Sequence, residues 1–339
     1  MNVAVVIVNY RTPQLTLRCV EALLAEKALL PGLRAIVVDG GSDDGSAAEI
    51  GQALAGPQYR DWVSFLPLPI NGGFGWANNQ AILGLAREQQ PPEFIYLLNP
   101  DAEVMSGAVG ALLSDLAGNP RCAAAGSQLL NAEGCPTASA FRFPSAGREF
   151  INAASSEKLG RLLGIRSTVV RSDRSADVDW VTGASVMFRA AALRETGLFD
   201  DGFFLYFDEV ELMHRLHARG WTVRHVAQSR VRHLEAASTG VSSARPFPPY
   251  WYRSRQRYFT LTGGRSGALA ADLGLLAGRL VRWAKSLVGR APDGAGPRPA
   301  DFLRSGFWPR ADQAAPSIPA WGDDPGRPPV WMQRSEPNG

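Results

Sequence analysis

Cysteine is scarce. Cys19, Cys122 and Cys135 are the three in 339 residues, and none sits in a CxxC pair. So small and odd a number excludes a disulfide scaffold and points to a reducing compartment. Long apolar runs are missing too. No uncharged apolar stretch reaches the roughly 18 residues of a transmembrane helix. The N-terminus has no basic segment ahead of its short apolar run Val3–Val8. That run reads as a buried strand, not a secretion signal. A cytoplasmic protein is the expectation. Lysine is rare, 3 against 32 arginines, which we attribute to codon usage and not to chemistry.

What is present fits an ordinary folded protein, with 45% hydrophobic and 20% charged residues. The formal charge of +3 hides an asymmetry. Residues 1–135 carry net −6, 136–240 net +2, 241–290 net +8 and 291–339 net −1. Positive charge confined to one fifty-residue stretch argues against a nucleic-acid binder, whose basic surface belongs to its main domain.

The first 135 residues alternate strand and helix patterns. Apolar β-branched runs stand at Val3–Val8, Ala35–Asp39, Ser64–Leu68, Phe94–Leu98 and Ala123–Leu130. Helical stretches separate them: one from Pro13, behind the capping residue Thr12, then Ser46–Leu54, Ala77–Glu88 and Ser106–Leu116. Such units predict an α/β fold with a mostly parallel sheet covered on both faces. Between Gly134 and Asp179 no period is visible. Regular structure returns with a strand over Trp180–Arg189, a helix over 209–219 and a strand over Thr222–Ala227. Residues 266–288 form an amphipathic helix with a stripe of Leu269, Leu273, Leu276, Leu280, Trp283 and Leu287. Residues 291–339 hold 10 Pro and 6 Gly and read as a mobile tail, with Phe302, Phe307 and Trp308 available to dock it.

In an open parallel sheet, ligands bind at the carboxyl ends of the strands. Here those ends read Asn9-Tyr10-Arg11-Thr12, Asp39-Gly40-Gly41-Ser42, Asn71-Gly72-Gly73-Phe74 and Asn99-Pro100-Asp101. A strand-end Asp alone is as often a turn or capping residue. Four polar ends along one edge are poorly explained that way. The Gly72-Gly73-Phe74-Gly75 segment lacks dinucleotide-loop spacing, which sets a dehydrogenase aside.

Together Ile7-Val8-Asn9-Tyr10, Val37-Val38-Asp39-Gly40-Gly41-Ser42, Asn71-Gly72-Gly73-Phe74, Leu97-Leu98-Asn99-Pro100-Asp101 and Phe204-Leu205-Tyr206-Phe207-Asp208-Glu209 resemble the bacterial family 2 glycosyltransferases. The rhamnosyltransferase-like branch is the most similar. The resemblance covers about residues 1–260. It implies a GT-A (Rossmann-like) fold, a dTDP-, UDP- or GDP-sugar donor, Mg2+ or Mn2+, and inverting transfer. Residues 1–135 would be the nucleotide-sugar half and 136–260 the acceptor and catalytic-base half.

By position, Asp39 would bond the donor base or ribose, with Asn9 and Tyr10 lining the nucleotide pocket. Asn71, Phe74, Asn78, Asn79 and Asn99 would shape the donor site, and Arg255 would reach the diphosphate. Asp101 falls on the family's metal signature, and His233 on a histidine near the metal or diphosphate. Trp180, Gly183 and Ala184 fall on the acceptor side. The family's usual Glu-Asp is Asp-Glu here, so Glu209 stands in the base position and Asp208 is the alternative. The acidic pair is also what a helix N-terminus favours on its own.

The expected acceptor is a saccharide or lipid-linked glycan of surface polysaccharide synthesis. The basic helix would lie on the inner membrane face, or pack on the protein or on a second copy in a homodimer. A non-catalytic nucleotide-sugar binder and a sugar nucleotidyltransferase remain alternatives.

Overall fold

The computed structural model describes residues 2–234, 247–287 and 315–332. The first half alternates as the apolar runs require: β1 (Val3–Asn9), α1 (Pro13–Leu29), β2 (Leu33–Asp39), α2 (Ser46–Leu54), β3 (Val63–Pro67), α3 (Phe74–Ala86) and β4 (Phe94–Leu98). Then come β5 (Ala102–Val104), α4 (Ala108–Gly118) and β6 (Cys122–Leu130). Residues 136–181 hold β7 (Ala140–Phe141), α5 (Ala146–Ala154), α6 (Glu157–Leu162), β8 (Val169–Val170), β9 (Ala176–Val178) and β10 (Trp180–Val181). The chain continues through β11 (Ser185–Arg189), α7 (Ala190–Thr196), α8 (Asp208–Ala218), β12 (Thr222–His233) and α9 (Pro249–Leu287).

The main sheet runs β3-β2-β1-β4-β11-β6-β12-β5. Strands β3, β2, β1, β4, β6 and β12 share one direction, while β11 and β5 oppose it. Alternate side chains of each strand enter opposite layers. Val3, Val5 and Ile7 meet α1, α2 and α4 through Leu23, Ile50 and Leu112. Ala4 and Val6 meet α3, α7 and α8 through Trp76, Leu193 and Leu212. Truncating Leu112 or Leu212 to alanine would cost about 2–5 kcal/mol. Both are fully buried.

The strand expected over Trp180–Arg189 is broken. Trp180 and Val181 pair with β7 in a small second sheet, ordered β10-β7-β8. Ser185–Arg189 crosses into the main sheet as β11. Thr182, Gly183 and Ala184 form the corner between them.

The helix expected from residue 266 is the second limb of α9. Gly264, with φ 64°, breaks α9. Along a straight helix Arg255 and Asp272 would be about 26 Å apart. Their side chains are 2.6 Å apart, so the two limbs fold back on each other at Gly264. The small residues of the second limb face inward. A side chain on Gly274 or Gly278 would overlap the carbonyl oxygens of Ala146 and Phe150 in α5. Lys285 Nζ donates to the Ala154 carbonyl at 3.0 Å, a cation at the C-terminus of α5.

Residues 315–332 are packed onto the domain. Trp76 Nε1 donates to the Arg327 carbonyl at 2.8 Å, and Leu198 N donates to the Pro319 carbonyl at 3.0 Å. Trp321 joins the core cluster around Trp76, and Trp331 meets Phe204 edge to face. Indole and proline surface in the tail thus outweighs its loop-like composition there. Phe302, Phe307 and Trp308 lie outside the described residues.

Candidate active site

A cavity of about 240 Å³ opens at the carboxyl end of β4. Phe74, Asn99, Asp101, Thr182, Gly183, Ala184, Asp208, Glu209 and His233 line it, with Leu129, Ala138, Leu205 and Tyr206. It joins residues from the two halves of the chain.

On one side stand Asp101 and His233. Asp101 follows β4, and pairing between β5 and β12 sets His233 opposite Ala102. Leu234 N donates to the Asp101 carbonyl at 3.1 Å and closes that register. Asp101 Oδ1 then lies 3.1 Å from His233 Nε2, and Asn99 Nδ2 is 3.4 Å from the same nitrogen. Asp101 is buried, yet its Oδ1 has no hydrogen-bond partner. An orphaned carboxylate oxygen beside an imidazole suits a divalent cation. Among the described residues no group of three or more His, Cys, Asp or Glu could hold a metal ion alone. A hard cation here would complete its shell with donor oxygens and water, as Mg2+ commonly does.

On the other side α8 begins with Asp208 and Glu209. The two residues ahead of it, Tyr206 and Phe207, take φ of 68° and 65°. Non-glycine residues rarely adopt this conformation, and the surroundings must hold it. Ser254 Oγ donates to the Leu205 carbonyl at 2.8 Å. Tyr250 stacks on Tyr206, and Trp331 abuts Phe204. Gly73, with φ 90°, lies directly on the Phe204 carbonyl, leaving no room for a Cβ. Phe74 N donates to that same carbonyl at 3.0 Å. The start of α3 and the loop before α8 are therefore one packed unit.

Asp208 is 1% exposed. Burial first, and the neighbouring Glu209 second, push its carboxyl well above the usual range. Glu209 is the more exposed member of the pair. Gly183 faces it: a Cβ there would sit 3.2 Å from the Phe74 ring and 3.9 Å from Glu209 Cβ.

The loops expected to hold the nucleotide are cross-braced behind this cavity. Asn9 Nδ2 donates to Asp39 Oδ1 at 2.7 Å, across paired ends of β1 and β2. Asn9 Oδ1 accepts from Thr12 N and Thr16 Oγ1, so Asn9 organises the turn into α1 and the Thr12 side chain makes no cap. Asp39 Oδ2 accepts from Ser42 N at 2.9 Å. Tyr10 lies under the Arg11 guanidinium. Asn71 Oδ1 accepts from Gly73 N at 3.1 Å.

Besides Asn9, Tyr10, Asp39 and Asn71, four more expected site residues do not line the cavity. Arg255, assigned to the donor diphosphate by resemblance, is 1% exposed and bonds Glu149 at 2.5 Å and Asp272 at 2.6 Å. It braces α5 against both limbs of α9, because a buried guanidinium needs carboxylate partners. Asn79 donates to the Phe199 carbonyl and Asp201 Oδ1, both at 2.9 Å, inside the protein. Asn78 donates to the Phe74 carbonyl at 2.9 Å. Trp180 stacks on Phe141 with ring centres 4.2 Å apart. Conversely, Leu129 and Ala138 line the cavity without having been singled out. Leu129 had a signal in its place at the end of β6; Ala138, in the aperiodic stretch, had none.

Comparison with known proteins agrees with this geometry. The model of the glycosyltransferase-like family 2 matches residues 1–247. N-acetylglucosaminyl-diphospho-decaprenol L-rhamnosyltransferases of two Mycobacterium tuberculosis strains are each 30% identical over 215 residues, covering 60% of this chain and 67% of theirs. Solved structures share the fold at low identity. GalNAc-T7 with UDP, GalNAc and Mn2+ aligns with TM-score 0.53 and 14% identity over 84% of this chain and 54% of that one. The mannosyltransferase PcManGT from Pyrobaculum calidifontis, with GDP-Man and Mn2+, aligns with TM-score 0.51 and 13% identity over 90% and 78%. The match thus spans about half of the GalNAc-T7 chain. With strand-end motifs, sheet order and family match in agreement, the chain belongs to the rhamnosyltransferase-like branch of the bacterial family 2 glycosyltransferases, on a GT-A fold.

Proposed function

We propose that this glycosyltransferase is an inverting, metal-dependent enzyme that moves rhamnose from a nucleoside-diphosphate sugar to a lipid-linked saccharide. The observation that carries the reading is the single cavity with Asp101 and His233 on one wall and Glu209 on another. Asp101, with His233 beside it, would hold Mg2+ or Mn2+. That ion would neutralise charge on the departing diphosphate as a Lewis acid. Glu209 accepts the proton of the acceptor hydroxyl as its oxygen attacks the anomeric carbon from the opposite side. The bond to the nucleoside diphosphate breaks in the same displacement, which inverts the anomeric configuration. Burial favours the protonated form of Asp208, which favours Glu209 as the acceptor of the pair. Asp39, Asn9 and Tyr10 cradle the nucleoside.

The name of the curated relatives, which specifies L-rhamnose and N-acetylglucosaminyl-diphospho-decaprenol, supports this choice of sugar and acceptor. A second cavity of about 830 Å³ shares Ala138 with the first and is lined by Gln128, Ser139, Arg171, His225 and Arg230. We assign the acceptor saccharide to it. With such an acceptor the enzyme would work at the cytoplasmic membrane face, in surface polysaccharide synthesis.

The test is a donor panel of dTDP-, UDP- and GDP-sugars with Mn2+ and a prenyl-diphosphate-linked N-acetylglucosamine. Release of nucleoside diphosphate and a product of inverted anomeric configuration by NMR are expected. Retention of configuration would overturn the single displacement. Consumption of a nucleoside triphosphate with pyrophosphate release would make it a nucleotidyltransferase. Donor binding without turnover would make it a binding protein.

A further inference from the structure

Apart from Leu276, half-buried against the cluster of Ala153, Tyr252 and Leu275, the apolar stripe of the second limb of α9 points away from the protein. Leu273 is 54% exposed, Leu280 65%, Trp283 62% and Leu287 67%, with Leu269 half-exposed above them. The opposite face, of Ala268, Ala271, Leu275 and Gly278, is buried. Residues of this spacing share one side of a helix, and the row from Leu269 to Leu287 is about 27 Å long. So long an apolar row is far more than scattered surface leucines. No described helix is long and apolar enough to cross a membrane, so the row can lie on a bilayer but not through one.

Among this limb's cations Arg265 is exposed, and Arg279, Arg282 and Lys285 are half-buried. Its one acid, Asp272, is buried against Arg255. Arg282 and Lys285 also reach the C-terminal end of α5, at Ser155 and Ala154. Burial first, and the charge of Arg282 second, lower the Arg279 pKa. Helix α6, packed on α5 where Gly160 meets Ile151, carries exposed Leu162 and Leu163 with the exposed Glu157, Lys158 and Arg161. A twofold pairing of this face with itself would set like charges against each other. An anionic lipid surface complements it instead.

We propose that the Leu269–Leu287 face of α9 docks in the interface of an anionic bilayer, with its apolar row among the acyl chains and Arg265 at the phosphates. The proposal deepens the membrane-face reading of the acceptor, yet its test is separable from that reading. Vesicle flotation measures the docking, and donor turnover in solution measures the enzyme.

The experiment uses the full chain with phosphatidylglycerol and phosphatidylcholine vesicles. The wild type should float with phosphatidylglycerol, less with phosphatidylcholine, and less at high salt. The triple variant Leu273→Ser, Leu280→Ser, Trp283→Ser should weaken flotation by more than about tenfold while donor turnover is kept. The exposed single change Arg265→Glu should weaken binding to the anionic vesicles alone. Failure of the wild type to float, or equal flotation of the triple variant, overturns the proposal. So does a wild-type dimer in solution that the triple variant converts to monomers, which would make the face an interface between copies.

Discussion

Asp101 Oδ1 stands 3.1 Å from His233 Nε2 with no hydrogen bond to spend its lone pairs on. A carboxylate held in this way is poised for a cation. Asp101→Ala should lower kcat/KM for the donor by more than about 100-fold at saturating Mn2+. His233→Ala should shift the Mn2+ concentration for half-maximal rate upward with a smaller loss of maximal rate. Rate against Mn2+ concentration separates the two. An unchanged Mn2+ curve in both variants would remove the metal from this wall.

The proposed mechanism gives the two acids at the start of α8 different roles. Glu209→Gln should reduce kcat by about 10²–10⁴-fold with donor affinity retained. Asp208→Asn resembles the protonated side chain that burial favours, so it should be the milder change. Single-turnover rates and donor titrations check both. If Asp208→Asn proved the more damaging, the base assignment would reverse.

Arg255 should matter for folding and not for the donor. Breaking its buried pairs with Glu149 and Asp272 by Arg255→Ala should cost about 3–5 kcal/mol. Thermal melting should register the loss while the donor KM stays put. A raised donor KM with an unchanged melting temperature would return Arg255 to the diphosphate.

Asp201 makes stability depend on pH. Burial raises its pKa from 3.8 to about 7, against the hydrogen bond from Asn79. The folded protein therefore takes up a proton between those values that the unfolded chain does not. Stability falls as pH rises through this window. Asp201→Asn keeps an oxygen for Asn79 and carries no charge. It should flatten the decline in melting temperature between about pH 4 and 7 and raise it by a few degrees above. An unchanged slope would show that other groups set it.

Much of this was legible along the chain, because in the first half the local signal and the tertiary outcome coincide. Val3–Val8 is apolar at every position because both layers cover β1, and Ser46–Leu54 is helical from end to end. The motif residues Phe74, Asn99, Asp101, Asp208, Glu209 and His233 do meet. The later half was harder, since its order depends on distant partners. Helix α5 is held by Gly274 and Gly278, more than a hundred residues on. The corner at Thr182–Ala184 carries no proline or charge to announce a change of sheet. Arg255 and Arg257 look alike among their neighbours, and only Glu149, Asp272 and Asp200 reveal both as internal braces. In α9 periodicity located the stripe but gave its direction no clue, because alanine and glycine can pack more closely than leucine.

The bond from Trp76 to Arg327, with Trp331 resting on Phe204, has a consequence for biosynthesis. The sheet and both its layers are complete in sequence by His233. The loop ahead of Asp208 gains its last support about a hundred residues later. A nascent chain thus collapses around its core while still being translated, but the wall that carries Asp208 and Glu209 settles only once residues 315–332 have cleared the ribosome. A chain cut before residue 315 would yield a folded sheet with a loosened acid pair.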